Sequence, residues 1–151
     1  MYTTQSFRVK WCSHVTELTR ASNGVKQGGV MSPLLFTIYI VVLLCRLRDS
    51  GYGCHIGNLF CGAIGYADDV ILLTPTVTGM TNLLNICTQY GLEYDVLFNP
   101  NKTKFIYINN VKYGVPPNIV FMGKPVENVD YDKHLGVNIG NISSQPSYLR
   151  P

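Results

Sequence analysis

The chain of 151 residues has the length of about one domain, and at 46% hydrophobic and 14% charged residues it is more apolar than an average soluble domain. Its net charge of +3 favours polyanionic partners only weakly, because a basic surface attracts phosphate when its charges cluster on one face. The five cysteines are odd in number and form no CxxC pair, which argues against a secreted disulfide framework or a zinc knuckle.

Membrane insertion and secretion are not indicated by the sequence. The apolar run from Leu34 to Cys45 is shorter than the ~20 residues that span a bilayer, and no cationic and apolar signal precedes it. We therefore expect an intracellular protein of the cytoplasm or nucleus, with no membrane partner and with reduced, buried cysteines. The surplus of apolar residues predicts surface that is covered by a partner.

The first third of the chain predicts a hairpin, a loop and a helix. Residues 6–21 alternate β-branched or aromatic residues with polar ones around positions 13–14, which favours a β-hairpin. The glycine-rich loop "SNGVKQGGVMSP" ends in a Ser-Pro pair, in which the Ser32 hydroxyl is expected to cap the helix. That helix runs to about Arg48, and its apolar residues on every face predict a central helix of the core.

The rest of the chain predicts further hairpins and an amphipathic helix. Turns at Gly57-Asn58, Asp68-Asp69 and Gly123-Lys124 predict three strand reversals, and "FNPNKTKFIYI" predicts a turn into a strand. A helix is predicted from Thr78 to Tyr90, with one apolar face and one polar face. The apolar face would pack on the sheet and consists of Met80, Leu83, Leu84, Cys87 and Tyr90. The polar face would be exposed and carries Asn82, Asn85 and Gln89.

The predicted fold class is α+β, an antiparallel sheet with an acidic hairpin packed on two helices. One domain is expected over residues 1–140, because the sequence holds no linker or repeat. Residues 141–151, rich in Ser, Asn and Pro, are expected to be a disordered tail.

Two adjacent acids interrupt the apolar stretch "GYADDVILLTP" at residues 65–75. Paired carboxylates at the tip of a strand turn can hold Mg²⁺, which usually takes one or two carboxylates together with substrate phosphates. Two such ions ~4 Å apart stabilise the attacking and leaving oxygens of phosphoryl transfer. A solvated Asp-rich turn is the plain alternative. We expect the apolar neighbours of the acids to bury both strands of this hairpin and to hold the acids in place. These neighbours are Ile64, Tyr66, Val70, Ile71 and Leu72.

The motif Tyr66-Ala67-Asp68-Asp69 resembles the metal-binding motif of reverse transcriptases. The segment "SNGVKQGGVMSPLLFTIYI" at 22–40 resembles the block that precedes it in the enzymes of non-LTR (LINE-type) retrotransposons. Two later segments, "GLEYDVLFNPNKTKF" and "DYDKHLGV", resemble later blocks of the same palm domain in the same order. The resemblance covers about residues 6–138 and implies a partial reverse transcriptase palm domain.

The resemblance also implies an activity and a set of ligands. The activity is two-metal nucleotidyl transfer from a dNTP to a DNA primer 3′ end on an RNA template, within a longer polyprotein. Asp68 would be the principal ligand of Mg²⁺, or of Mn²⁺, and Asp69 a secondary acid. Gln27 and Gly28 would lie near the incoming nucleotide and template, where glycine lets a backbone approach closely. A plain flexible turn is the alternative for that loop.

Further residues take their expected roles from the same resemblance, each beside a structural alternative. Tyr66 would lie near the primer end, or serve as a core aromatic. Lys102 would neutralise the leaving pyrophosphate, or be a solvated turn lysine. Leu135 and Gly136 would belong to a primer-gripping hairpin, or to an edge strand. Nucleic-acid backbone contacts are expected from Lys10, Lys26, Lys102, Lys104, Arg46 and Arg48, although a solvated face is the default for the two arginines.

The sequence departs from the family pattern before the glycine-rich block. A complete palm needs a further aspartate from an upstream strand, yet before Asp49 the sole acid is Glu17. We therefore expect the isolated chain, without that aspartate and without a fingers domain, to be nearly inactive.

Two other functions stay open at this point. One is a catalytically dead retrotransposon remnant that acts as a nucleic-acid or protein binding module. The other is a metal-dependent nuclease, which would want more clustered acids or histidines than the isolated His14, His55 and His134.

Overall fold

The computed structural model describes residues 5–21, 28–108 and 115–140. Within them the chain forms two helices, α1 (Ser32–Asp49) and α2 (Val77–Tyr94), together with short strands, which confirms the α+β class. Gln27 and the predicted tail at 141–151 lie outside the described residues. The strands are β1 (Gln5–Phe7), β2 (Lys10–Trp11), β3 (His14–Val15), β4 (Thr19–Ala21), β5 (His55–Ile56), β6 (Leu59–Phe60), β7 (Ala63–Tyr66), β8 (Asp69–Leu72), β9 (Lys104–Phe105), β10 (Val120–Phe121), β11 (Lys124–Pro125), β12 (Glu127–Asn128), β13 (Tyr131–His134) and β14 (Val137–Gly140).

The chain divides into two compact units, Met1–Leu73 and Thr74–Pro151. The first unit holds β1 to β8 and α1, and the second holds α2 and β9 to β14. Buried apolar side chains occur in both. They are Ile40, Leu43 and Leu47 in the first unit, and Leu83, Leu84, Cys87, Tyr90, Ile119, Phe121 and Val126 in the second.

Most described strands pair with a neighbour in sequence across a two-residue turn. The turn at Gly57-Asn58 is confirmed, whereas those predicted at 13–14, 68–69 and 123–124 each lie one residue earlier. The shift has a backbone cause. Met122 (φ 49°) and Gly123 (φ 77°) both have positive φ, so the glycine is the second central residue of its turn, as in Asn-Gly hairpins.

One strand pair departs from the antiparallel sheet that the sequence predicted. β9 pairs in parallel with β12, with Lys104 opposite Glu127 and Phe105 opposite Asn128. Parallel neighbours need a crossover of about a dozen residues or more, and the chain between these strands contains the β10–β11 hairpin. The long connection therefore permits a pairing that a tight turn would forbid.

Helix α1 begins at the predicted place, but without the predicted serine cap. Its N-cap residue is Met31, which makes no side-chain cap hydrogen bond, and Pro33 occupies the first turn. Ser32 already has a helical position because its amide donates to the Gly29 carbonyl at 3.1 Å. A preceding turn therefore starts the helix, and the serine is buried instead of capping.

Helix α1 has two apolar faces of different character. Ile40, Leu43 and Leu47 are buried along one face. The opposite face carries Leu34 and Ile38, which are 54% and 57% exposed, and Val41 follows one turn later. The prediction of a helix buried on every side is therefore wrong for the second face, because no described residue covers it.

Helix α2 follows its predicted pattern and extends beyond it. Four of the five predicted apolar residues are buried, and the helix lies against β10. Asn85 and Gln89 are exposed as predicted, whereas Asn82 is half-buried. The helix continues past Gly91 and ends at Tyr94, because the C-cap residue Asp95 has a left-handed backbone conformation. Gly91 is buried within the helix, in close contact with the Val96 carbonyl.

Thr76 caps α2 through its side chain, whose oxygen accepts from the Gly79 amide at 3.0 Å. Replacing this hydroxyl in Thr76→Ala should lower the free energy of unfolding by about 1 kcal/mol, because the amide loses its partner. Urea denaturation followed by circular dichroism measures the change. Thr76→Ser, which keeps the hydroxyl, is the matched control, and equal midpoints for the two variants would contradict the capping role.

Candidate functional site

The two neighbouring acids lie at the tip of the β7–β8 hairpin. Its register pairs Ala63 with Leu72 and, at the closing position, Tyr66 with Asp69. Ala67 and Asp68 are therefore the two central turn residues. The structure thus brings Tyr66, Asp68 and Asp69 together on one hairpin, as the sequence predicted.

The hairpin lies against α1 through a glycine. A Cβ atom on Gly65 would meet Leu44 Cδ1 at 3.2 Å and Ile40 Cγ2 at 3.4 Å, so the strand backbone approaches the helix closely. Because successive strand residues point to opposite faces, Tyr66 and Asp69 lie on the face away from Gly65 and α1. The helix supports one face of the hairpin and leaves the other open.

The hairpin arms are less buried than the sequence predicted. Ile64 is 49% exposed and Tyr66 is 61% exposed, whereas Val70, Ile71 and Leu72 are half-buried. The prediction that both arms are buried is therefore wrong for β7. Tyr66 is not a core aromatic within the described residues, because its ring lies in solvent beside Asp69.

Both carboxylates are available to a ligand. Asp68 and Asp69 are exposed, and among the described residues neither side-chain carboxylate takes part in a hydrogen bond or ion pair. Residues 5–21, 28–108 and 115–140 contain no group of three or more potential metal-ligating side chains. Two carboxylates nevertheless fit a hard divalent cation, which usually completes its shell with water and substrate phosphate oxygens.

Ala67 has a positive φ of 49°, a conformation that costs a side chain about 1–3 kcal/mol. Such strain can mark a functional site. In this chain positive φ does not distinguish a functional turn from an ordinary one, because Cys12, Met122 and Leu135 adopt the same conformation in other turns. The acids, and not the backbone, make this hairpin distinctive.

The glycine-rich loop is described only in part. Gly28 has a φ of +75°, and a Cβ atom built on it would meet nothing within 4 Å. This backbone conformation favours glycine, and no described residue occupies the space where a side chain would begin. Gln27, its predicted partner at the nucleotide, lies outside the described residues.

The remaining predicted site residues belong to the second unit. Lys102 is exposed in a turn in which its amide donates to the Asn99 carbonyl at 3.1 Å. Leu135 and Gly136 form the two-residue turn of the β13–β14 hairpin, with φ of 51° and 86°. They are therefore turn residues and not part of an edge strand.

Comparison with known sequences decides the family. The sequence profile for reverse transcriptase (RNA-dependent DNA polymerase) matches residues 1–139. The chain belongs to the reverse transcriptase family. This confirms the resemblance carried by the glycine-rich block and the Tyr-Ala-Asp-Asp motif.

Three curated relatives of this reverse transcriptase chain are retrovirus-related Pol polyproteins of R2 retrotransposable elements. The type-1 R2 protein of Popillia japonica is 31% identical over 132 residues, which cover 79% of this chain and 21% of the relative. The type-2 R2DM protein of Drosophila melanogaster is 39% identical over 64 residues, 42% of this chain and 6% of the relative. The type-1 R2 protein of Nasonia vitripennis is 39% identical over 61 residues, which cover 40% of this chain and 6% of the relative. The chain thus spans about a fifth or less of the length of these relatives.

Two of the cations predicted to contact nucleic acid in this reverse transcriptase chain have carboxylate partners instead. Arg48 Nε lies 2.8 Å from Asp49 Oδ1, and this hydrogen bond raises the pKa of Arg48 above its usual value. Lys104 Nζ lies 3.3 Å from Asp132 Oδ1. Both ion pairs are exposed, the nucleic-acid contacts of Arg48 and Lys104 stay predictions, and Lys26 lies outside the described residues.

The cysteines do not form a ligand set in this reverse transcriptase chain. All five are free thiols, and only Cys87 is buried, where desolvation raises its pKa to about 12 and keeps it protonated. Cys12 is exposed in a turn, so the prediction that the cysteines are buried is wrong there. In the described part of the chain, neither helix is both long and apolar enough to cross a bilayer.

The sequence analysis did not identify Gly65, the residue at which the acidic hairpin packs closely against α1. A glycine inside a strand pattern is itself a signal, because it often marks a close approach by another part of the backbone or by a side chain. Its helix partners, Ile40 and Leu44, could not be identified from spacing alone.

Proposed function

We propose that this chain is part of an RNA-directed DNA polymerase that transfers nucleotides to a primer 3′ end on an RNA template. The observation that carries the proposal is a pair of exposed carboxylates, free of partners among the described residues, at the tip of the hairpin that bears the family motif. Phosphoryl transfer depends on positioning and charge neutralisation, and a carboxylate pair would supply both by holding the cations that neutralise the phosphate.

Asp68 and Asp69 are the proposed metal-binding and catalytic acids, with Mg²⁺, or Mn²⁺, as their cation. The bound cations would neutralise charge on the phosphate oxygens of the dNTP and primer. The protein's own contribution is to place the backbone of the two acids side by side, because Asp69 is held by strand pairing and Asp68 by the turn that it shares with Ala67.

The other predicted residues keep, as part of the proposal, the roles that the family resemblance implies for them. Gly28, with open space around it, would admit the template or nucleotide backbone, together with Gln27. The exposed ring of Tyr66, opposite Asp69, is suited to contact the primer end. Lys102 would neutralise pyrophosphate, and the Leu135-Gly136 turn would contact the primer.

The relatives' lengths support a role within a longer polypeptide. In the proposed mechanism a third aspartate comes from a strand of that polypeptide outside this chain, because a carboxylate pair supplies only part of a two-metal ligand set. The further domains of that polypeptide, and its nucleic-acid substrates, are part of the same proposal.

Metal binding tests the site without requiring catalysis. Substoichiometric Mn²⁺ added to the ¹⁵N-labelled chain should broaden the amide signals of Ala67, Asp68 and Asp69 before those of other residues, because paramagnetic relaxation falls steeply with distance. Asp68→Asn should abolish most of this broadening, since one of two carboxylate ligands is lost.

Asp95→Asn is the matched control, because it removes an exposed acid elsewhere on the chain and should leave the hairpin broadening unchanged. Equal broadening in wild type and Asp68→Asn, or broadening centred on another acid, would show that the hairpin is a solvated turn and not a metal site.

A further inference from the structure

Residues Gln5–Ala21 form a single two-stranded ribbon. β1 pairs with β4 and β2 pairs with β3, closing at Trp11 opposite His14. Val9 and Thr16 join the two pairs: the Thr16 amide donates to the Val9 carbonyl and the Val9 amide to Thr16 Oγ1, both at 3.0 Å. The ribbon is thus continuous from its base to its turn.

The ribbon contains a β-bulge at its middle. Phe7 lies opposite Thr19 and Val9 opposite Thr16, so Arg8 faces two residues, Glu17 and Leu18. A bulge bends a strand pair and increases its twist while preserving alternation on the regular strand. The strand from Ser6 to Trp11 therefore keeps a regular division between its two faces.

The two faces of this strand differ in chemistry. Phe7, Val9 and Trp11 share one face, and they are 50%, 53% and 79% exposed. Arg8 and Lys10 share the other face, which Arg20 joins through its pairing with Ser6. Every described side chain from Ser6 to Arg20 is exposed, so neither face is covered by the described parts of the chain.

The ribbon is a concentrated basic patch. Between residues 5 and 21 the sequence holds Arg8, Lys10 and Arg20 against the single acid Glu17. Among the described residues none of these three cations takes part in an ion pair. Their charge is therefore available to an anionic partner, in contrast to Lys104, which Asp132 neutralises.

We propose that the Gln5–Ala21 ribbon is a binding arm for single-stranded nucleic acid. The cations contact phosphates along the strand, and the indole of Trp11, at the end of the ribbon, stacks on an unpaired base. A duplex hides the faces of its bases, so stacking selects single strands. This arm goes beyond the proposed polymerase function, because it requires neither Asp68 nor a metal.

The chain reports on this contact directly, because Trp11 is its single tryptophan. Titration of the full chain with an oligouridylate of about 12 nucleotides, in EDTA and without dNTP, should quench tryptophan fluorescence through stacking. Inorganic polyphosphate, which has charge but no bases, should bind without that quenching. Asp68→Asn should quench like wild type, so failure of the polymerase proposal and failure of this one are separate results.

Variants separate the aromatic from the charged contribution, with affinity read by anisotropy of labelled oligouridylate. Trp11→Ala should weaken binding about tenfold, and Trp11→Phe, which retains a stacking ring, should weaken it less. Removing Arg8, Lys10 and Arg20 together should weaken binding and reduce the slope of log affinity against log salt by about 2. Lys133→Ala, which removes one exposed cation from the β13–β14 hairpin, is the matched control and should change neither.

Several outcomes would overturn the arm. The first is tryptophan fluorescence that oligouridylate does not quench, and the second is a duplex that binds as tightly as the single strand. The third is an unchanged affinity for oligouridylate in Trp11→Ala, with circular dichroism showing the fold intact. A fluorescence shift that depends on protein concentration alone would also overturn it, because the apolar face would then be an interface between two copies of the chain.

Discussion

A joined polypeptide, in which an upstream segment with an aspartate-bearing strand is fused to this chain, should extend a DNA primer on an RNA template at least about 10²-fold faster than the 151-residue chain alone. The expected gain reflects the ligand that the upstream strand would add to Asp68 and Asp69. One well-placed charge-stabilising group in a transfer reaction contributes about 10²–10³ in rate. The isolated chain, whose sole acid before Asp49 is Glu17, should be nearly inactive in the same assay.

Variants of the joined polypeptide determine whether this chain supplies the chemistry. Asp68→Asn should return its rate to the level of the isolated chain, and Asp95→Asn should leave it unchanged. Template-dependent synthesis by the purified chain alone, abolished by Asp68→Asn, would refute the expected inactivity. A joined polypeptide that binds primer and template but never extends them would favour the alternative function, a catalytically dead binding module.

Local features of the fold could be predicted because short-range physics decides them. The apolar spacing of α2 gave its buried face, and the Ser-Pro pair at 32–33 marked the start of α1 within a residue. The predicted hairpin turns lie within one residue of the observed ones, and at 123–124 the shift arises because the glycine is not the first central residue. In the Met122-Gly123 turn glycine takes the second position.

Features that depend on distant contacts could not be predicted in the same way. The apolar residues of α1 predict a helix buried all round, yet Leu34 and Ile38 are exposed because burial depends on what packs against each face. The parallel pairing of β9 with β12 likewise has no local signal, since its strands are two residues long.

The candidate site was predictable to the extent that it is local. Tyr66, Asp68 and Asp69 come together because a two-residue turn and its closing pair bring them there. The roles of Gln27, Lys102 and the Leu135-Gly136 turn rest on the family resemblance and stay predictions, because spacing within a sequence does not determine distances between separate blocks.

Gly65→Val should destabilise the first unit by about 1–3 kcal/mol and displace the acidic hairpin from α1. The hypothetical Cβ atom already lies 3.2 Å from Leu44 Cδ1, so two further methyl groups require the Leu44 side chain, the strand or the helix to shift. Valine is otherwise preferred over glycine in strands, since it loses less backbone entropy on folding and packs better. A loss of stability would therefore report the close approach to α1 and not strand propensity.

A double-mutant cycle distinguishes this crowding from a general effect on the strand. Leu44→Ala removes the side chain nearest the clash, so it should recover part of the stability of Gly65→Val, with a coupling energy of about 0.5–3 kcal/mol. Ile64→Val, on the opposite face of the same strand, should change the free energy of unfolding little, because Ile64 is 49% exposed. The Mn²⁺ broadening at Asp68 and Asp69 should weaken in Gly65→Val and recover in the double variant, because the helix fixes the hairpin that carries both acids. Additive losses, or an undisturbed metal response in Gly65→Val, would mean that α1 does not position the carboxylates.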